Sequence, residues 1–121
     1  MGFSILVVDD DSDSISLFEE MLDDPEYRVE SATSGPDALK KLKEKHYDLV
    51  ITDIRMPGAG GMEILKEVSL NHRKTRSIAV TAFSSEKNLF DCMDINCFGY
   101  VDKPFECEYM KDLIRSALGR R

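Results

Sequence analysis

Apolar residues recur along this chain with two alternating periods. Short apolar runs stand at Ile5–Val8, Tyr27–Val29, Leu49–Ile51, Ile78–Val80 and Tyr100–Val101, and each has the length of a β-strand. Between them the spacing changes to three and four residues, the mark of a helix with one buried face. Ile15, Phe18 and Leu22, with Met21 on the same side, define the first helix. "SGPDALKKL" predicts the second: Ser34 caps it, Pro36 suits its first turn, and Ala38, Leu39 and Leu42 form its inner stripe. A third helix is predicted over about Met62–Leu70, and a fourth over about Ser85–Ile95. Asn96 then falls where a helix needs a left-handed terminating residue. Met110, Leu113, Ile114 and Ala117 give the stripe of the fifth.

Five strand-then-helix units predict an α/β fold in which a parallel sheet is covered on both faces. Runs such as "LVI" and "IAV" carry no polar alternation, as strands buried on both sides require. Right-handed crossovers leave few arrangements, and the common one for five strands is the flavodoxin-like, doubly wound order 2-1-3-4-5. Ligands of such sheets bind beyond the carboxyl ends of the strands, at the switch point between strands 1 and 3. With no linker or low-complexity tract, the 121 residues are expected to form a single domain, 1–121.

Composition narrows the function. A net charge of −7 argues against direct nucleic-acid binding, which needs a positive surface. The basic tail of Arg115, Arg120 and Arg121 is too short to change that. No apolar run reaches membrane-spanning length and no signal peptide opens the chain, so a cytoplasmic location without membrane contact is expected. Cys92, Cys97 and Cys107 form no CxxC pair and are expected as small core or boundary residues. His46 and His72 read as surface residues at helix ends.

The chemistry gathers at strand ends. Asp9 and Asp10 end strand 1, and Asp53 ends strand 3, its neighbour in the expected order. Two carboxylates ~4 Å apart at an effective dielectric of ~20 repel by about 4 kcal/mol, a large share of the ~5–15 kcal/mol that holds a domain together. A divalent cation offsets that repulsion, and an open site with few protein oxygens suits Mg²⁺. One of Asp11 and Ser12 is expected to cap the following helix. Thr81 ends strand 4 and Lys103 follows strand 5, so a hydroxyl and a cation join the acids at one sheet edge. That set suits a phosphoryl group, with a carboxylate as nucleophile and the cations opposing oxygen charge.

"ILVVDDD" (Ile5–Asp11), "DLVITDIRMPG" (Asp48–Gly58), "AVTA" (Ala79–Ala82) and "GYVDKPF" (Gly99–Phe105), in this order and spacing, resemble the receiver domain of two-component response regulators over nearly the whole chain. The resemblance implies a bacterial phosphoacceptor switch rather than an enzyme with a separate substrate. Asp53 would take a phosphoryl group from the phosphohistidine of a sensor kinase or phosphotransfer domain. Asp10 would bind Mg²⁺ (or Mn²⁺) directly and Asp9 mostly through water, with Asp53 and the backbone carbonyl of Arg55 as further ligands. Lys103 would contact the phosphoryl oxygens. Thr81 would swing toward the phosphate, and Tyr100 would turn inward and re-aim the face made by helix 4, strand 5 and helix 5. A cis Lys103–Pro104 bond is also implied, and Ala82 would leave the site open to the imidazole. Phe98, Phe105 and Tyr109 belong either to the output surface or to the core. The chain would be a stand-alone regulator or a domain cut from a longer protein whose output domain lies elsewhere.

Departures from the family pattern are local. "GAGG" (Gly58–Gly61) predicts a looser loop beside the acceptor, and Asn96 stands where Gly is common. Arg55 and Phe83, two residues past Asp53 and Thr81, are bulky at positions that tune phosphoryl lifetime in the family, so slow self-dephosphorylation is expected. Three rival readings are weaker. Asp9-x-Asp11-x-Asp13 with Glu20 approaches a calcium loop, but Ser14 holds the glycine position and a strand-like run precedes it. A phosphatase with an Asp nucleophile on strand 1 wants Thr or Val where Asp13 stands. A flavin module wants a neutral phosphate loop in place of the aspartates. The remaining alternative is a phosphate-independent pseudo-receiver.

Overall fold

The computed structural model describes residues 2–56, 60–82 and 85–120. Strands β1 (Phe3–Val8), β2 (Tyr27–Ala32), β3 (Leu49–Asp53), β4 (Arg76–Thr81) and β5 (Gly99–Asp102) alternate with helices α1 (Ser12–Met21), α2 (Gly35–Glu44), α3 (Gly61–Asn71), α4 (Glu86–Asp94) and α5 (Cys107–Ala117). All pairings are parallel, and the sheet order is β2-β1-β3-β4-β5. Fold class and strand order are those expected from the alternation of apolar periods.

Successive strand residues point to opposite faces, and the core divides accordingly. Ile5, Val7, Leu49, Ile51, Ile78 and Val80 meet Ile15 and Phe18 of α1 and Met110 and Ile114 of α5 on one face. Leu6, Val8 and Val50 meet Ala38 and Leu42 of α2 and Ile64 and Val68 of α3 on the other. Each large side chain buried this way contributes roughly 1.5–3 kcal/mol, so the two-sided apolar runs favour a covered sheet over an open one.

The strands extend past their apolar runs because backbone pairing continues through polar residues. The difference is greatest in β2, where Glu30, Ser31 and Ala32 continue the ladder opposite Leu6, Val7 and Val8. As an edge strand it shows one margin to solvent, and Arg28 is exposed. Helix starts follow their sequence signals. Asp11, rather than Ser12, caps α1 by accepting a bond from the Asp13 N–H at 3.0 Å. Ser34 caps α2 through the Asp37 N–H, and Ser85 caps α4 through the Asn88 N–H. Asn96 has φ 64°, the left-handed value expected after α4. Residues 12–21 are helical, which excludes a calcium loop running from Asp9 to Glu20.

Candidate functional site

Parallel register levels the strand ends. Val8 pairs with Thr52, so Asp9 and Asp53 stand next to each other one step on. Asp53 in turn pairs with Val80, and Thr81 with Asp102, which places Thr81 and Lys103 just beyond. The backbone continues the alignment, with the Lys103 N–H donating to the Thr81 carbonyl at 2.8 Å. Four elements far apart in sequence thus deliver their polar ends to one edge of the sheet.

The acids converge as their positions require. Asp9, Asp10 and Asp53 each offer a carboxylate oxygen, and these lie within 4.8 Å of one another. Asp9 is buried at 2% exposure, while Asp10 is exposed and Asp53 lies between. Lys103 Nζ donates to Asp9 Oδ2 at 2.8 Å and to Asp53 Oδ2 at 3.1 Å. Burial works against the Lys103 charge, but the hydrogen bonds to Asp9 and Asp53 outweigh it and hold the ammonium above the ordinary lysine value. Three carboxylates facing one ammonium leave an excess of negative charge. An all-oxygen donor set with that excess fits a hard divalent cation.

Two backbone bonds orient the acids. The Arg55 N–H donates to Asp53 Oδ1 at 3.0 Å, and the Asp11 N–H donates to Asp9 Oδ1 at 2.9 Å. Each is an Asx-type turn, in which an aspartate bonds the backbone two residues on. They leave Asp9 and Asp53 with one oxygen each for Lys103. The sequence marks Arg55 for its carbonyl and side chain; the service of its N–H was legible only from the Asp-x-x turn propensity.

The remaining residues fall at the same edge or beside it. Thr81 is fully buried and Ala82 is exposed. Tyr100 is half-buried against Ile54, Leu65, Ala79 and Cys92. Phe98 and Phe105 pack on the core, with Phe105 5.6 Å from the Phe18 ring, whereas Tyr109 is exposed. The Lys103–Pro104 bond is cis. Phe83, Gly58 and Ala59 lie outside the described residues. Gly60 and Gly61 depart from the expectation of a loose loop: they cap and begin α3, and the Gly61 N–H donates to the Ile54 carbonyl at 3.1 Å. A Cβ on Gly61 would stand 2.0 Å from the Asp53 carbonyl oxygen. Gly61 is therefore a close-packing residue against the Asp53 backbone, a role the glycine run did not disclose.

The model for the response regulator receiver domain matches residues 5–115. The chain belongs to this family. Among curated relatives, this receiver domain is 33% identical to the transcriptional regulatory protein ZraR of Salmonella typhimurium, over 94% of this chain and 26% of that protein. It is 32% identical to the regulatory protein VanRB of Enterococcus faecalis, over 99% of this chain and 54% of the relative. The receiver thus spans about a quarter to a half of these relatives. A solved receiver from Methanospirillum hungatei superposes with a TM-score of 0.93 at 25% identity, covering 98% of this chain and 95% of the other. The chain is also similar to the BeF3-activated DrrB receiver domain, with a TM-score of 0.90, 28% identity and coverage of 99% and 100%. Receiver domains serve as switches in two-component signalling. Among the described residues, no helix is long and apolar enough to cross a membrane.

Proposed function

We propose that this receiver accepts a phosphoryl group on Asp53 from a phosphohistidine of a partner kinase or phosphotransfer domain, and relays it as a change of surface. The observation that carries this reading is the placement of Asp53, within 4.8 Å of Asp9 and Asp10 and 3.1 Å from the Lys103 ammonium, at the open edge of the sheet. An Asp53 carboxylate oxygen attacks phosphorus, the bond from phosphorus to the imidazole nitrogen breaks, and the electron pair leaves with the imidazole. Lys103, already bridging Asp9 and Asp53, is placed to follow the added charge onto the phosphoryl oxygens. Asp9, Asp10, Asp53 and the Arg55 carbonyl would hold Mg²⁺ (or Mn²⁺). When bound, that ion lowers the repulsion between acceptor and phosphoryl oxygens.

The relay rests on two residues. Thr81 offers a hydroxyl one residue beyond the level of Asp53, and Tyr100 packs on the next strand. Movement of Thr81 toward a phosphoryl group opens space for the Tyr100 ring. The face of α4, β5 and α5 then changes, and it carries exposed Leu89, Phe90, Met93 and Tyr109 for an output partner. That partner is a separate protein or an output domain joined to the receiver, in keeping with longer relatives described as regulators. The exposed Arg55 side chain beside the acceptor supports slow loss of the phosphoryl group. The acidic surface speaks for protein partners in the cytoplasm, with no contact to nucleic acid or membrane.

Incubation with phosphoramidate and Mg²⁺ followed by intact-mass analysis tests the reading. The native chain should gain one phosphoryl group, and Asp53→Asn or excess chelator should prevent it. Undiminished labelling of Asp53→Asn would remove Asp53 from the mechanism, and a native chain that never gains mass would leave the phosphate-independent reading.

A further inference from the structure

A second group of reactive side chains sits at the opposite edge of the sheet. α4 ends in a Schellman motif: the Cys97 N–H reaches back to the Cys92 carbonyl at 3.0 Å, and the Asn96 N–H to the Met93 carbonyl at 3.1 Å. This motif brings the side chains at its two outer positions together, and here both are cysteines. Cys92 is 1% exposed and packs against Ile54, Leu65 and Ala79. Cys97 is partly exposed and lines a cleft of about 700 Å³, together with His72, Arg73, Arg76 and Ser77. Cys97 packs against the same small cluster that holds Cys92, and Ser77 of β4 lines the cleft beside it. Cys92, Cys97 and Cys107 are free cysteines.

We propose that Cys97 and Cys92 form a reversible thiol-oxidation site whose substrate is a small hydroperoxide. The Cys97 thiolate attacks the terminal peroxide oxygen, the O–O bond breaks, and the alkoxide or hydroxide leaves to be protonated by water. Cys97 is then a sulfenic acid, having lost two electrons to the peroxide. The Cys92 sulfur displaces its hydroxyl, releasing water and closing an intramolecular disulfide that a dithiol reopens.

Three features favour these roles. Cys97 has access through the cleft, whereas Cys92 is shielded and serves to resolve the sulfenic acid. Hydrogen bonding by Cys92 holds the Cys97 thiol below the ordinary cysteine value against the opposing effect of burial. Arg73 and Arg76 line the same cleft, and cationic neighbours favour thiolate formation. Cys107 is exposed at the start of α5, away from this pair, and supplies an internal comparison.

The test uses the whole chain with Cys107→Ser, which leaves only the two thiols of interest. A small excess of hydrogen peroxide should produce a mass loss of two hydrogens that dithiothreitol reverses, with Cys92 and Cys97 joined in the peptide map. Adding Cys92→Ala should replace that loss by a dimedone adduct at Cys97. Adding Cys97→Ser instead should leave Cys92 without an adduct, in protein shown to be folded by circular dichroism. A dimedone adduct on Cys92 rather than Cys97, or a chain still carrying two free thiols when Cys107 in the native chain is already oxidised, would overturn the proposal. Phosphorylation of Asp53 plays no part in the readout, so this outcome is independent of the acceptor reading.

Discussion

Lys103 carries more of the site's balance than any other side chain, since its ammonium answers two carboxylates contributed by different strands. Replacing it by Met leaves Asp9, with 2% exposure, as a buried charge without its cation. Breaking a buried pair in this way costs about 3 kcal/mol or more; urea unfolding of Lys103→Met without divalent ions should show a loss of about that size. Gly61 is the second sensitive residue. Its absent Cβ would meet the Asp53 carbonyl oxygen at 2.0 Å, and backbone cannot yield as a flexible side chain does. Gly61→Ala should therefore cost about 3 kcal/mol, near the upper end for overpacking, and should slow phosphoramidate labelling by shifting Asp53. The acids themselves were readable in the sequence because each closes an apolar run. Gly61 was not, since nothing in a glycine-rich stretch distinguishes freedom of the backbone from lack of room for a methyl group. Arg120 was likewise hidden: the sequence marked it only as part of a short basic tail, yet its guanidinium bonds Asp24 at 3.2 Å and lies 5.0 Å from the Tyr27 ring centroid.

At the scale of elements, caps and stripes did most of the specification. Ser34 and Ser85 each satisfy an amide that the first turn of a helix leaves open. Ser34→Ala should lower stability by about 1 kcal/mol with an unchanged denaturant slope. The boundaries of the strands were less legible. An apolar run records which residues face the core, whereas a ladder continues as long as a neighbour offers backbone groups. β2 shows this best: its polar half pairs with β1 all the same. α5 matches its stripe more closely, with Met110, Ile114 and Ala117 buried, although Leu113 only edges the core beside Gly99.

For the molecule as a whole, ion binding and pH act through linkage. If the acid cluster holds Mg²⁺ only when folded, raising the ion to a hundredfold excess over its dissociation constant should add about 2.7 kcal/mol of stability. Thermal melts of the native chain should rise with Mg²⁺, and those of Asp10→Asn should not. Tyr47 sets a separate alkaline limit. Burial, and then the Glu30 carboxylate that accepts its hydroxyl proton at 3.1 Å, push it up to about 12. A raised folded value means the stabilisation is complete below the unfolded tyrosine value near 10 and is lost as pH climbs toward 12. Up to about 3 kcal/mol is at stake; Tyr47→Phe should show a shallower fall in stability between those limits. Order along the chain has one more effect. The three acids are translated within the first 53 residues, but their counter-charge arrives only with residue 103. On the ribosome, an unfinished polypeptide therefore carries the acid cluster without the ammonium that bonds Asp9 and Asp53, and the full set of charges is assembled only once the last strand has docked.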